Sequence, residues 1–346
     1  KFVALGLTTE LAGNYNTSYG YLQLFGILAD FGLYAVAIRE VSHARERGEV
    51  LGGIIILRCF TLILSLGTAL SLAWTVPQWH GTPLPLGITI AALVPLFTLV
   101  AGAVRTIFQV THTMHLVFIA EVTQRVVTAA LIGLFILLGI RGSSDLHVFH
   151  LFLFIGGIGA FVLFLLSMIF STRIITVPLC WDPTLLRGLL RTAIPFGLAF
   201  LFMAVARQFD ITLIALLRPD FELQNAYYGF VIRMTEMGFL IPTFLLNSVL
   251  PLLSRKHAGG EELSGTLGKT ILSILLISSI AALTAAFWAR PLTQLLTTDA
   301  YLSTLQQPGS DTALFFMSVP LFLNGLILYS FYILLLEHRW RALVFV

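Results

Sequence analysis

Nine ionisable side chains fall inside stretches that are otherwise almost wholly apolar: Asp30, Arg58, Arg105, Glu121, Arg125, Arg207, Asp210, Arg233 and Glu236. In the interior of a bilayer each such charge costs roughly 2.5–3.5 kcal/mol on insertion scales. It survives by pairing with an opposite charge or by facing a wet cavity. All the bases in this set are arginine, and they outnumber the acids. A planar guanidinium binds phosphate oxygens in bidentate fashion, which a lysine ammonium cannot do, so the set suits a diphosphate ligand. The preference extends along the chain, where only Lys1, Lys256 and Lys269 are lysine among 20 basic residues.

Spacing sorts these charges into pairs. Asp30 lies about eight residues above one end of its apolar run, and Arg58 about seven residues up the next, so at 1.5 Å per residue both sit roughly 10–12 Å deep. That depth predicts an Asp30–Arg58 pair. By the same arithmetic Asp210 should meet Arg233 near the other face. Glu121 and Arg125 are spaced i,i+4, while Arg207/Asp210 and Arg233/Glu236 are spaced i,i+3, which puts each couple on one helical face. Arg105, close to a helix end, is expected to snorkel to the interface. Arg207 is the deepest of the cations, roughly 22 Å into its helix. The pairs either staple neighbouring helices or line a cavity. On the second reading Arg58, Arg125, Arg207 and Arg233 would hold the diphosphate, with Asp30, Glu121, Asp210 and Glu236 as charge partners or coupling groups.

The elements that position these charges are set by composition. The chain has 58% hydrophobic and 11% charged residues and a mean hydropathy of +0.93, whereas a soluble domain carries roughly 25% charged residues. Such a chain cannot clothe a water-facing surface and must sit in a membrane. Its apolar runs are long and continuous, without the alternation of a membrane barrel, so the class is all-α and polytopic. A helix remnant over about 1–10 precedes nine expected spans at roughly 19–38, 51–75, 86–109, 117–140, 148–170, 192–217, 225–251, 267–288 and 312–336. The start and finish within apolar stretches predict a chain truncated at both ends. Cys59 and Cys180 are isolated, which predicts neither disulfide nor metal site, and no phosphate-cradling glycine loop or Ser/His/Asp grouping is visible. Pro195, Pro242, Pro251 and Pro320 fall within or at the ends of helices and are candidate kinks.

Orientation follows from the basic residues of the short connections. Arg39, Arg45, Arg47, Arg173, Arg187, Arg191, Arg255, Lys256, Arg339 and Arg341 fall on one side, against Arg141, Arg218 and Arg290 on the other. The first side is expected to be cytoplasmic. The mid-chain connection with Pro178, Trp181 and Pro183 divides two helical bundles: 1–175, a connection over 176–191, and 192–346. A weak repeat agrees, since Tyr19-Gly20 and Tyr228-Gly229 open corresponding helices.

Three segments, "YGYLQLFGILADFGLYAVAIREVS", "AIPFGLAFLFMAVARQFDITLIALL" and "YYGFVIRMTEMGFLIPTFLLNSVLPLLSR", resemble the oligosaccharide flippases of O-antigen and polysaccharide export. These belong to the superfamily that also holds multidrug extruders and peptidoglycan-precursor flippases. The resemblance implies two pseudo-symmetric six-helix bundles around an arginine-rich central cavity, working by alternating access in a bacterial cytoplasmic membrane. The implied substrate is an undecaprenyl-diphosphate-linked oligosaccharide moved from the cytoplasmic to the outer leaflet. Implied partners are that lipid-linked oligosaccharide, membrane lipids, and a polysaccharide polymerase or glycosyltransferases, with no cofactor and no nucleic acid. A lipid II flippase is the nearest alternative. A cation-coupled drug extruder fits less well, because it should carry an acid-rich cavity. A glycosyltransferase or ligase would need a large outer loop with catalytic residues, and the outer connections are short or merely polar, so no enzyme is expected.

Overall fold

The computed structural model describes residues 1–30, 33, 47–111, 113–174, 182–258 and 264–336. Among these residues regular structure is helical, apart from one bridge between Leu7 and Ser143. We number the helices α1 (Phe2–Gly6), α2 (Thr9–Asp30), α3 (Arg47–Thr75), α4 (Leu84–Ala91), α5 (Leu93–Val110), α6 (Met114–Leu137), α7 (Leu146–Thr172), α8 (Pro183–Leu217), α9 (Phe221–Ala258), α10 (Ser264–Phe287), α11 (Ala289–Leu296) and α12 (Ser310–Leu336).

Local chemistry sets several of the boundaries. Asp145 and Asp182 cap α7 and α8 by accepting the backbone N–H groups of His147 and Thr184, each at 2.8 Å, which satisfies donors that a helix start leaves open. Pro183 then occupies the first helical position, where its missing N–H costs nothing. Pro95 cannot donate to the carbonyl four residues back, and the chain breaks between α4 and α5 just upstream, at Ala92. The other helix prolines, Pro195, Pro242, Pro251 and Pro320, all fall inside α8, α9 and α12.

Among the described residues seven helical stretches are long and apolar enough to cross a membrane: Gly48–Thr75, Leu84–Gln109 (α4 with α5), Met114–Leu137, Leu146–Thr172, Phe221–Leu246, Gly265–Phe287 and Ser310–Ser330. They coincide with seven of the nine expected spans. The expected span at 19–38 falls on α2 and on residues outside those described. That at 192–217 lies within α8, which begins at Pro183.

The amino-terminal reading needs correction. The expected continuous remnant over 1–10 is a short helix that ends at Gly6, after which Leu5, Gly6 and Thr8 exchange backbone hydrogen bonds with Gly142 and Ser143. Helix α2 then starts at Thr9, well before residue 19. The polar run Asn14–Ser18 is helical because Thr17 and Ser18 donate back to the carbonyls of Gly13 and Asn14, at 2.8 Å each. Its asparagines bond outward: Asn14 Nδ2 to Glu222 Oε1 at 2.9 Å, and Asn16 Nδ2 to the Asn225 carbonyl at 3.1 Å. Asn225 Nδ2 in turn donates to Thr17 Oγ1 at 2.8 Å and to the Ile211 carbonyl at 3.0 Å. Hydrogen bonds of this kind between polar side chains glue membrane helices together.

Contacts divide the chain into two compact units, Lys1–Ala226 and Tyr227–Val346. In the first, α2 packs on α3, α4 and α8, while α5 and α6 both pack on α7. One cluster of its buried side chains includes Leu51, Ile54, Ile107 and Phe108. In the second, α10 lies along α12, and Gly325 gives Ser278 its place: a Cβ there would come within 2.1 Å of the Ser278 hydroxyl. The polar connection at about 289–311 contains α11 and a 3-10 turn at Asp299–Tyr301. Asp311 closes it by accepting from the Ser303 N–H and hydroxyl, both at 2.7 Å.

Candidate functional site

Two antiparallel helices, α2 and α3, are stitched at successive turns by side chains reaching across to carbonyls. Tyr21 donates to the Ala69 carbonyl, Ser65 to that of Phe25 and Thr61 to that of Ala29, at 2.6–2.7 Å. The next rung in the series is ionic, with Arg58 Nη2 on Asp30 Oδ1. The pair expected from depth arithmetic is therefore present. Arg58 is buried, at 5% exposure. Its Nε and Nη1 are buried without a hydrogen-bond partner among the described residues. The guanidinium lies over Gly102 of α5, whose added Cβ would stand 3.8 Å from Nη1.

Gly102 also lines a cavity of about 400 Å³ between α5, α6 and α7. Thr98, Arg105, Glu121, Gln124, Arg125 and Ser167 supply its polar lining. Arg105 Nη1 donates to Glu121 Oε1 at 3.0 Å, with the two side chains 42% and 37% exposed. Arg105, expected to snorkel, thus also has a carboxylate partner. Helices α5 and α6 meet at the short turn through Thr111 and Thr113, so residues a similar distance from that turn lie at similar depth. Applying to α5 and α6 the arithmetic that found Asp30–Arg58 would have found this pair too. Arg125, one turn beyond Glu121, is exposed, lines the same cavity and makes no hydrogen bond or ion pair with a described residue. Sequence spacing placed Glu121 and Arg125 on one face. In the structure both line the cavity, but the carboxylate engages Arg105.

The remaining expected site residues lie elsewhere. The side chain of Arg207 lies outside the described residues. Asp210 is exposed on α8 in the first unit, and Arg233 and Glu236 are exposed on α9 in the second. The Asp210–Arg233 pair stays a proposal for a double-mutant cycle. Three of the expected residues, Arg58, Glu121 and Arg125, thus lie close to α5, which itself carries Arg105, and Asp30 holds Arg58. Beyond the membrane-depth charges, Arg218 clasps Asp220 in the α8–α9 turn through Nε at 2.8 Å and Nη2 at 3.0 Å. That clasp, with Gln224 also donating, lowers the Asp220 carboxyl to about 2.

Long apolar helices carrying an ion pair and a charged cavity define a multi-pass membrane protein. The family model for "Polysaccharide biosynthesis protein" matches residues 2–257, and the chain belongs to that family. Among solved structures it is similar to the MATE multidrug transporter DinF-BH, solved in complex with R6G. The TM-score is 0.60 at 15% identity, over 99% of this chain and 79% of that one. At that identity the likeness is one of fold. No curated protein matches.

Proposed function

We propose that this protein is a flippase that moves an undecaprenyl-diphosphate-linked oligosaccharide from the cytoplasmic to the outer leaflet by alternating access, in polysaccharide or O-antigen export. Membership of the polysaccharide biosynthesis family supports export of a sugar polymer's precursor, and the transporter fold supports movement over catalysis. One observation carries the substrate chemistry. Arg58 is held at membrane depth with a single described partner, which leaves two of its nitrogens to bond an anion. Desolvated guanidinium groups are the protein's best match for a diphosphate. On this reading Arg58, Arg125, Arg207 and Arg233 take the diphosphate in turn as it crosses. Asp30, Glu121, Asp210 and Glu236 hold these arginines in place, or carry the coupling proton or cation.

Complementation of polysaccharide export in a flippase-deficient strain tests the reading, with membrane abundance as the control. Arg58→Lys keeps the charge and the pair with Asp30 but loses the fork, so export should fall at least tenfold at normal abundance. Full export by Arg58→Lys and by Arg207→Ala, both at normal abundance, would remove the diphosphate role and leave both residues as helix staples.

A further inference from the structure

Helix α6 presents Phe118, Val122, Arg125 and Ala129 at i, i+4, i+7 and i+11, one stripe along the helix, and all four are exposed. Phe118 is 66% and Val122 39% exposed, as suits side chains that meet lipid. Arg125 stands in this apolar stripe near the midpoint of a 24-residue helix, roughly 17 Å from either end. Nothing on its own helix balances it, since Glu121 is engaged by Arg105. From the other helices lining the cavity come Thr98, Arg105 and Ser167, none of them acidic. The cavity therefore holds two guanidinium groups and one carboxylate, a net positive charge, with Arg125 at the border between cavity and lipid-facing stripe. Arg105 Nε is buried and lacks a hydrogen-bond partner among the described residues. At about 30 Å³ per water, 400 Å³ has room for a phosphate group with several waters around it. The two guanidinium groups lie at different distances from the α5–α6 turn, Arg105 roughly 10 Å and Arg125 roughly 17 Å along their helices, so an anion can pass from one to the other.

We infer that the α5–α6–α7 cavity is a site for a lipid-borne phosphate, reached sideways from the bilayer, with Arg125 as the principal ligand and Arg105, oriented by Glu121, as the second. It lies within the first unit, and Arg58 is not among the residues that line it. A lipid carries its phosphate into the cavity while its chains stay along the apolar stripe of α6. The phosphate has two possible sources, the diphosphate of a polyprenyl carrier and the headgroup of an anionic phospholipid. Only the carrier source rests on the flippase reading above.

Native mass spectrometry of the purified full chain in detergent tests the site, with polyprenyl diphosphate, polyprenol and phosphatidylglycerol added separately. The expected result is that polyprenyl diphosphate, phosphatidylglycerol or both bind at least tenfold more tightly than polyprenol, and that Arg125→Gln abolishes the difference while melting temperature is kept. Arg125→Lys, which retains charge without the fork, should recover part of it. Loss confined to polyprenyl diphosphate assigns the site to the carrier, and loss confined to phosphatidylglycerol assigns it to a phospholipid; each supports the site. Unchanged binding of both phosphate lipids by a folded Arg125→Gln, or a wild type that binds neither phosphate lipid more tightly than polyprenol, overturns it. Export is not the readout, so failure of the flippase reading is recognised separately.

Discussion

Asp30 and Arg58 illustrate what a charge pair at membrane depth does for its helices. Removing one partner of a buried pair strands the other, at a typical cost of 3–5 kcal/mol. The cost here should fall at the lower end, because the Asp30 side chain is 30% exposed against 6% for Arg58. Asp30→Asn and Arg58→Gln alone should each lower the melting temperature more than the double variant does. Additive losses would mean that the two side chains do not interact. The Asp220 clasp behaves differently with pH. Its carboxyl titrates at about 2 in the fold against an ordinary 3.8, so its stabilisation is complete above the ordinary value and is lost as pH falls toward the lower one. The stability gap between wild type and Asp220→Asn should be open at neutral pH and close on acidification through that window. A gap that persists unchanged in acid would show that it does not arise from the charged clasp. Asp30–Arg58 was legible in the sequence, because depth can be counted along apolar runs. Arg105–Glu121 was equally countable but was hidden by the assumption that a charge near a helix end reaches for water.

At the scale of elements, the passage from α1 into α2 was not legible, for a physical reason. Asparagine, threonine and serine favour caps and turns because their side chains compete for the backbone, so the Asn14–Ser18 run reads as a boundary. Tertiary partners reverse this, with Glu222, Asn225 and Ile211 taking up the polar groups. Close approach makes those bonds possible. At Gly13 an added Cβ would stand 1.6 Å from the Glu222 carbonyl oxygen, and a backbone atom cannot rotate away. Gly13→Ala should therefore push α2 off the start of α9 and cost about 1–3 kcal/mol, as overpacking does. Gly67 has open space around it, so Gly67→Ala should be neutral or slightly stabilising. Thermal unfolding in detergent reads both. A Gly13→Ala protein as stable as wild type would mean that α2 and α9 do not meet so closely.

For the whole molecule, membrane class and seven of the nine expected spans came from composition and run length, which depend on the solvent and not on packing. The division into Lys1–Ala226 and Tyr227–Val346 did not, because it depends on α8 packing against α2, and hydropathy says nothing of which apolar faces meet. Orientation is a third global property, and it rests on charge alone. The basic residues of the connections are strongly biased to one side, and translocation retains such loops in the cytoplasm. The structure supplies sound places to test this. Arg187 is exposed near the start of α8, while Gln78 and Ser144 are exposed in the α3–α4 and α6–α7 connections. Cysteines placed singly at these three positions and at Lys256, in a background without Cys59 and Cys180, should divide cleanly in intact cells. The Gln78 and Ser144 positions should react with a membrane-impermeant maleimide, and the Arg187 and Lys256 positions only after permeabilisation. The reverse pattern would invert the protein in the membrane, and with it the leaflet nearer to Arg105 and the α5–α6 turn.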